Sequence, residues 1–280
     1  MQFQGQIKTY PLSSATMTQS ELESYLELPS QSSLTLITSV LGATSNWLAL
    51  HLLRRTLKSD ETIEPAAVLL VSFLRDEYFW EDAGQRLGLN LPRFKQTKQY
   101  GFLDGLSGLF LEEKLSQNTN CDQTLQSPDL QYIAKKIRTA IKTLKEDNEK
   151  KLLLILDGID VLLAAAKDMD PFMLEDMIID LREEVHATVL TLSADLPLVA
   201  SLQTPLERNH AAFLMSIAHQ ASFIMNLRLL DTGIAKDVSG VIRITCKESH
   251  GEDRYKLEDK EFLYFIGADN RVKLFERGQQ

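Results

Sequence analysis

Five apolar residues in a row, Leu152-Leu-Leu-Ile-Leu156, end abruptly in Asp157-Gly158. A run this short, with no polar alternation, needs burial on both faces. That is the environment of an inner strand in a parallel sheet covered by helices on either side. An aspartate at the carboxyl end of such a strand lies where open α/β sheets bind ligands. In proteins that hydrolyse nucleoside triphosphates, an aspartate at this place helps to hold Mg²⁺. The competing explanation is plainer: Asp-Gly is a common turn pair and can simply reverse the chain.

The rest of the chain repeats the pattern. Residues 34–38 (LTLIT), 67–74 (AVLLVSFL), 187–192 (ATVLTL) and 221–227 (ASFIMNL) read as further strands. Between them, residues 46–57, 78–87, 129–144, 171–184 and 205–219 carry apolar side chains at helical spacing. The clearest is 129–144, with Ile133, Ile137, Ile141 and Leu144 on one face and lysines on the other. After residue 240 the pattern changes. Residues 240–246, 262–266 and 271–275 alternate apolar and polar, as antiparallel strands do, with a turn at Asp269-Asn270.

Strand, helix, strand, helix with a small antiparallel tail predicts one α/β domain over 31–280: a mainly parallel sheet with helices on both faces. Residues 1–30 read as an N-terminal extension, with a capping box at Thr18 and Glu21 opening a short helix. Residues 90–108 mix prolines, glycines and aromatics and show no period. Residues 112–128 are polar and read as a flexible surface loop.

If 34–38 is the first strand, a phosphate loop of the form G-x-x-x-x-G-K-[ST] should follow it. The eight residues there are Ser39-Val-Leu-Gly42-Ala-Thr44-Ser45-Asn46. Thr44 stands at the second glycine, Ser45 at the lysine and Asn46 at the Mg²⁺-binding hydroxyl. No lysine occurs between Lys8 and Lys58. Arg54 and Arg55 lie about 12 Å further along the helix and are poor substitutes. Ordinary ATP hydrolysis is therefore not expected, and no cofactor or metal site is assigned.

Other chemistry is no better supported. Asp76 and Glu77 follow the second strand, where some ATPases place the base that activates water, but a solvated strand end is the better explanation. His51, His186, His210, His219 and His250 have no metal-ligand spacing, and Gly105-Leu-Ser107-Gly108 lacks the context of a hydrolase elbow. Cys121 and Cys246 are the only cysteines, which suits a reducing compartment. No signal peptide and no membrane span is expected, so the cytosol or nucleus is the expected location.

The net charge of −9 argues against a generally basic surface. Two local clusters remain. Lys135, Lys136, Arg138, Lys142 and Lys145 line one helix face. Arg93, Lys95 and Lys98 are interleaved with Phe94 and Tyr100, a mixture that suits looped RNA.

Taken in order, several stretches resemble the Elongator complex protein six family. These are the eroded phosphate loop, VLLVSFLRDEYFW, GQRLGLNL and LLLILDGIDVLLA. With them go Leu229-Leu-Asp-Thr-Gly233 continuing to Asp237-Val-Ser-Gly240, and Tyr264 with the closing Asn270-Arg-Val-Lys-Leu-Phe-Glu-Arg277. The resemblance spans roughly residues 30–278. It implies a RecA-like fold without working ATPase motifs and a non-catalytic role. It further implies assembly with Elongator proteins four and five into a hetero-hexameric ring, which supports tRNA binding and modification of wobble uridines. Two other readings stay open from the residues alone: a RecA-like ATPase with a nonstandard phosphate loop, and a stand-alone protein-binding adaptor.

Overall fold

The computed structural model describes residues 25–58, 66–110, 123–145, 150–165, 169–230, 237–247, 259–268 and 270–276. The capping box at Thr18 and Glu21 lies outside them. Nine strands form one sheet: β1 (Ser33–Ser39), β2 (Ala66–Ser72), β3 (Tyr100–Asp104), β4 (Lys151–Asp157), β5 (Ala187–Ser193), β6 (Phe223–Arg228), β7 (Gly240–Cys246), β8 (Lys260–Ile266) and β9 (Val272–Glu276). They lie in the order β3-β2-β4-β5-β1-β6-β7-β8-β9. The first six are parallel and the last three continue as an antiparallel meander.

The unalternating apolar run has the expected cause. In β4, Leu153 and Ile155 enter one core together with α1 (Asn46–Leu57), α2 (Glu77–Arg86) and α3 (Leu91–Gln96). Leu152, Leu154 and Leu156 enter a second core with α5 (Leu130–Lys145), α7 (Pro171–Glu183) and α9 (Pro205–Gln220). Both faces of the strand are dry, so positions 152–156 do not tolerate a polar side chain. Three layers result, with short helices α4 (Ser107–Phe110), α6 (Val161–Ala165) and α8 (Leu196–Ala200) set at the strand ends.

Helix starts follow local capping chemistry. The Asp76 carboxylate accepts from Phe79 N at the head of α2, and Asn90 accepts from Arg93 N at the head of α3. Thr204 and Glu207 form a reciprocal capping box on α9.

Two expectations change. The aperiodic stretch 90–108 folds as α3, β3 and α4. It hides its strand because β3 has only five residues and carries Gly101, where a Cβ would lie 3.0 Å from Leu144 Cδ1. Of the polar stretch 112–128, residues 112–122 lie outside the described residues, while at its end Thr124 bridges to Asp104 and Leu125 is buried in the second core. Of the aromatics 78–80, Trp80 is fully buried and Phe79 packs against the first core, leaving only Tyr78 exposed.

Gly158 illustrates how tightly the sheet end is closed. It has φ +70°, and a Cβ there would come within 2.4 Å of Leu74 Cγ. Gly158→Ala is expected to lose about 1–2 kcal/mol in chemical denaturation, from the left-handed backbone and the contact together. Combining it with Leu74→Ala should recover the steric part only.

Candidate functional site

In a parallel sheet with helices on both faces, ligands bind beyond the carboxyl ends of the strands. Here that edge collects the ends of β1, β2, β4, β5 and β6. Asp157 ends β4 and has no exposed surface. Ser72 Oγ, ending β2, donates to Asp157 Oδ2 at 2.7 Å, and Thr191 Oγ1 on β5 donates to Oδ1 at 2.7 Å. Each hydroxyl also accepts a backbone N–H, Ser72 from Arg75 at 3.0 Å and Thr191 from Gly158 at 2.9 Å. The carboxylate thus laces three neighbouring strands together. Burial pushes its pKa up, only partly offset by the two hydroxyl donors and the Arg75 charge.

Asp160, one turn further on, is also turned inward. Its Oδ2 accepts from Ser193 N at 3.0 Å and lies 3.0 Å from His210 Nε2 of α9. Among the described residues, no group of three His, Cys, Asp or Glu side chains is placed to hold a metal ion.

The loop after β1 is closed rather than cradle-shaped. Ala43 N donates to Val40 O at 2.9 Å, with Gly42 at φ +92° as the third residue of a four-residue turn. Leu41 N, a backbone donor of the kind that wraps phosphates in ATPases, is taken by Asp195 Oδ1 at 2.8 Å. Asp195 is held in turn by Ser193 Oγ at 3.0 Å. Thr44 follows the turn, Ser45 precedes α1 without a side-chain cap bond, and Asn46 is the first residue of that helix. A carboxylate therefore sits where an anionic ligand would need to be.

The surface of this edge is apolar. Leu41 after β1 is 86% exposed, and Leu196 after β5 is 73% exposed. Leu74 after β2 covers Gly158, and Leu229 after β6 stands against Gly42, 3.4 Å from where a Cβ would be. Tyr78, Phe172, Met173 and Leu206 are exposed in the first turns of α2, α7 and α9, Leu202 just before α9, and Phe110 at the end of α4. Apart from Ile179 and Met215, every large exposed hydrophobic among the described residues lies at this end. Among the described residues, this edge offers apolar contact area.

A family model described as Elongation complex protein 6 matches residues 19–267. The chain belongs to this family. Relatives in it include Elongator complex protein 6 of Xenopus laevis, 27% identical over 218 residues, or 75% of this chain and 80% of the relative. The Elongator complex protein 6 homolog of Schizosaccharomyces pombe is 24% identical over 261 residues, 90% of this chain and 94% of the relative. Among solved structures, a KaiC-like protein from Pyrococcus horikoshii OT3 aligns with a TM-score of 0.54 at 12% identity. The alignment covers 88% of this chain and 90% of that one, which makes the fold RecA-like.

The other residues singled out by sequence do not join the Asp157 network. Asp76 is a helix cap, and Glu77 forms an ion pair with Lys95. Lys95 also donates to Gln123 at 3.0 Å. Arg93 is exposed and Lys98 is half-buried with φ +50°. Tyr100 is in the core and Phe94 packs against it, so the aromatics are turned away from the cations between them. On α5, Arg138 is tied to Glu184 at 2.6 Å and Asp180 at 3.3 Å, and Lys145 donates to the Glu184 carbonyl.

Sequence reading missed Ser72, Thr191, Asp160 and Asp195. A hydroxyl at the same height on each strand flanking an aspartate was the available signal. It becomes visible only once β2, β4 and β5 are placed side by side.

Proposed function

We propose that the chain is a non-catalytic structural subunit of Elongator, acting in the cytosol or nucleus. In this reading it joins Elongator proteins four and five in a hetero-hexameric accessory ring that supports tRNA binding and wobble-uridine modification. The observation that carries the reading is the exposed leucine rim, Leu41, Leu74, Leu196 and Leu229, at the edge where a RecA-like ATPase would hold nucleotide. Large exposed patches of this kind mark protein interfaces. Family membership supports the place in Elongator.

The absence of a phosphate-loop lysine, the Asp195 carboxylate on Leu41 N and the internal engagement of Asp157 all favour a pseudo-ATPase. Co-expression with Elongator proteins four and five tests the assembly. The expected result is a stoichiometric complex that survives size exclusion, and purification of the chain without either partner overturns it. For the pseudo-ATPase part, calorimetric titration of the purified chain with Mg²⁺-ATP should show at most millimolar affinity. Micromolar binding with turnover would establish the ATPase reading instead.

A further inference from the structure

The antiparallel meander has one face in the first core and one face outside both cores. Ile242, Ile244, Phe262, Tyr264, Val272 and Leu274 point inward. The intervening residues share the opposite face, and strand register places them together. Phe265 lies opposite Lys273, Leu263 opposite Phe275, and Arg243 opposite Glu261. Phe265 and Phe275 are half-buried, so part of each ring reaches the surface, while Arg243 and Lys273 are exposed.

The charge on this face opposes the chain as a whole. Among the described residues, Arg228, Arg243 and Lys273 stand against Glu261 and the exposed Asp259 at the head of β8, a local balance of three minus two, in a protein of net charge −9. Glu261 accepts from Arg228 at 3.3 and 3.4 Å, and Asp259 accepts from Cys246 N at 3.0 Å. Neither Arg243 nor Lys273 has an ion-pair partner among the described residues. Two exposed cations without an ion-pair partner among the described residues, beside two half-buried aromatic rings, fit an anionic polymer with flat groups to stack. Arg93, Lys95 and Lys98 present no such surface, because their aromatics face the core.

We propose that this outer face of β7–β9 binds a single-stranded RNA segment, with bases against Phe265 and Phe275 and phosphates at Arg243 and Lys273. The inference rests on the RNA-handling part of the proposed function, but not on ring assembly. Sheet faces carrying aromatics are a recurrent platform for unpaired bases, and each stacked base adds to affinity without sequence preference.

The test uses the full chain and a fluorescein-labelled oligouridine of about 15 nucleotides, read by fluorescence anisotropy across a salt series. Arg243→Glu with Lys273→Glu should weaken binding at least tenfold and flatten the salt slope by roughly 0.7 per lost phosphate contact. Phe265→Ala should weaken binding roughly tenfold with the slope kept. Since Phe265 is half-buried, a circular-dichroism melt accompanies it, and the exposed pair Arg243 and Lys273 carries the decision if that variant unfolds. Lys135→Glu with Lys142→Glu on α5 serves as the control and should change little. No binding by the native chain, or equal binding by the Arg243 and Lys273 double variant, overturns the proposal. Those failures leave assembly untouched, whereas failure of co-expression leaves the oligouridine result standing.

Discussion

Asp157→Ala is expected to cost the isolated chain about 3 kcal/mol in chemical denaturation, whereas Asp157→Asn should be at least as stable as the native protein at pH 7. Alanine removes the acceptor shared by Ser72 and Thr191 and leaves a void among three strands. Asparagine keeps the shape. Its carbonyl accepts from one hydroxyl, and its amide donates to the other. It also relieves the burial of a charge, which is what pushes the aspartate's pKa upward.

That shift fixes the pH dependence. A carboxyl that binds its proton more tightly folded than unfolded favours the fold below its unfolded pKa, near 3.8. The advantage is lost as pH rises through the folded value. The stability of Asp157→Asn relative to the native chain should therefore grow as pH rises from about 4 and then level off. A carboxylate kept for Mg²⁺ would behave differently: Asp157→Asn would abolish a Mg²⁺-dependent rise in melting temperature. No such rise is expected here.

The second large effect concerns assembly. Leu41→Asp combined with Leu196→Asp should weaken association with Elongator proteins four and five by 100-fold or more. The basis is the roughly 2–4 kcal/mol carried by central apolar anchors of an interface. Both side chains are almost fully solvated in the isolated chain, so its own stability should move by less than about 0.5 kcal/mol. Surface plasmon resonance against the immobilised partner pair, with a denaturation curve alongside, separates the two quantities. Unchanged affinity would remove the leucine rim from the interface.

The fold was largely legible because its strongest signal is physical. An unbroken apolar run such as 152–156 has few places to go, and alternating runs such as 240–246 and 272–276 have few others. What escaped was set by neighbours distant in sequence. β3 is a strand because β2 offers it a ladder, and Gly101 is there because Leu144 and Leu69 approach from another layer. The site was half legible. The missing lysine could be read directly, and Asp157 was found. Its partners could not be found, since Ser72 and Thr191 are 85 and 34 residues away and look like ordinary strand ends.

The lacing of Asp157 and the carboxylate of Asp195 on Leu41 N have a consequence for behaviour over time. A RecA-like ATPase changes the shape of this edge as it gains, hydrolyses and releases nucleotide, because the ligand itself bridges the strand ends. Here the bridges are covalent members of the chain, present at every nucleotide concentration. In the proposed ring, a subunit bridged in this way would act as a stator: the fixed frame against which its neighbours' movements are measured.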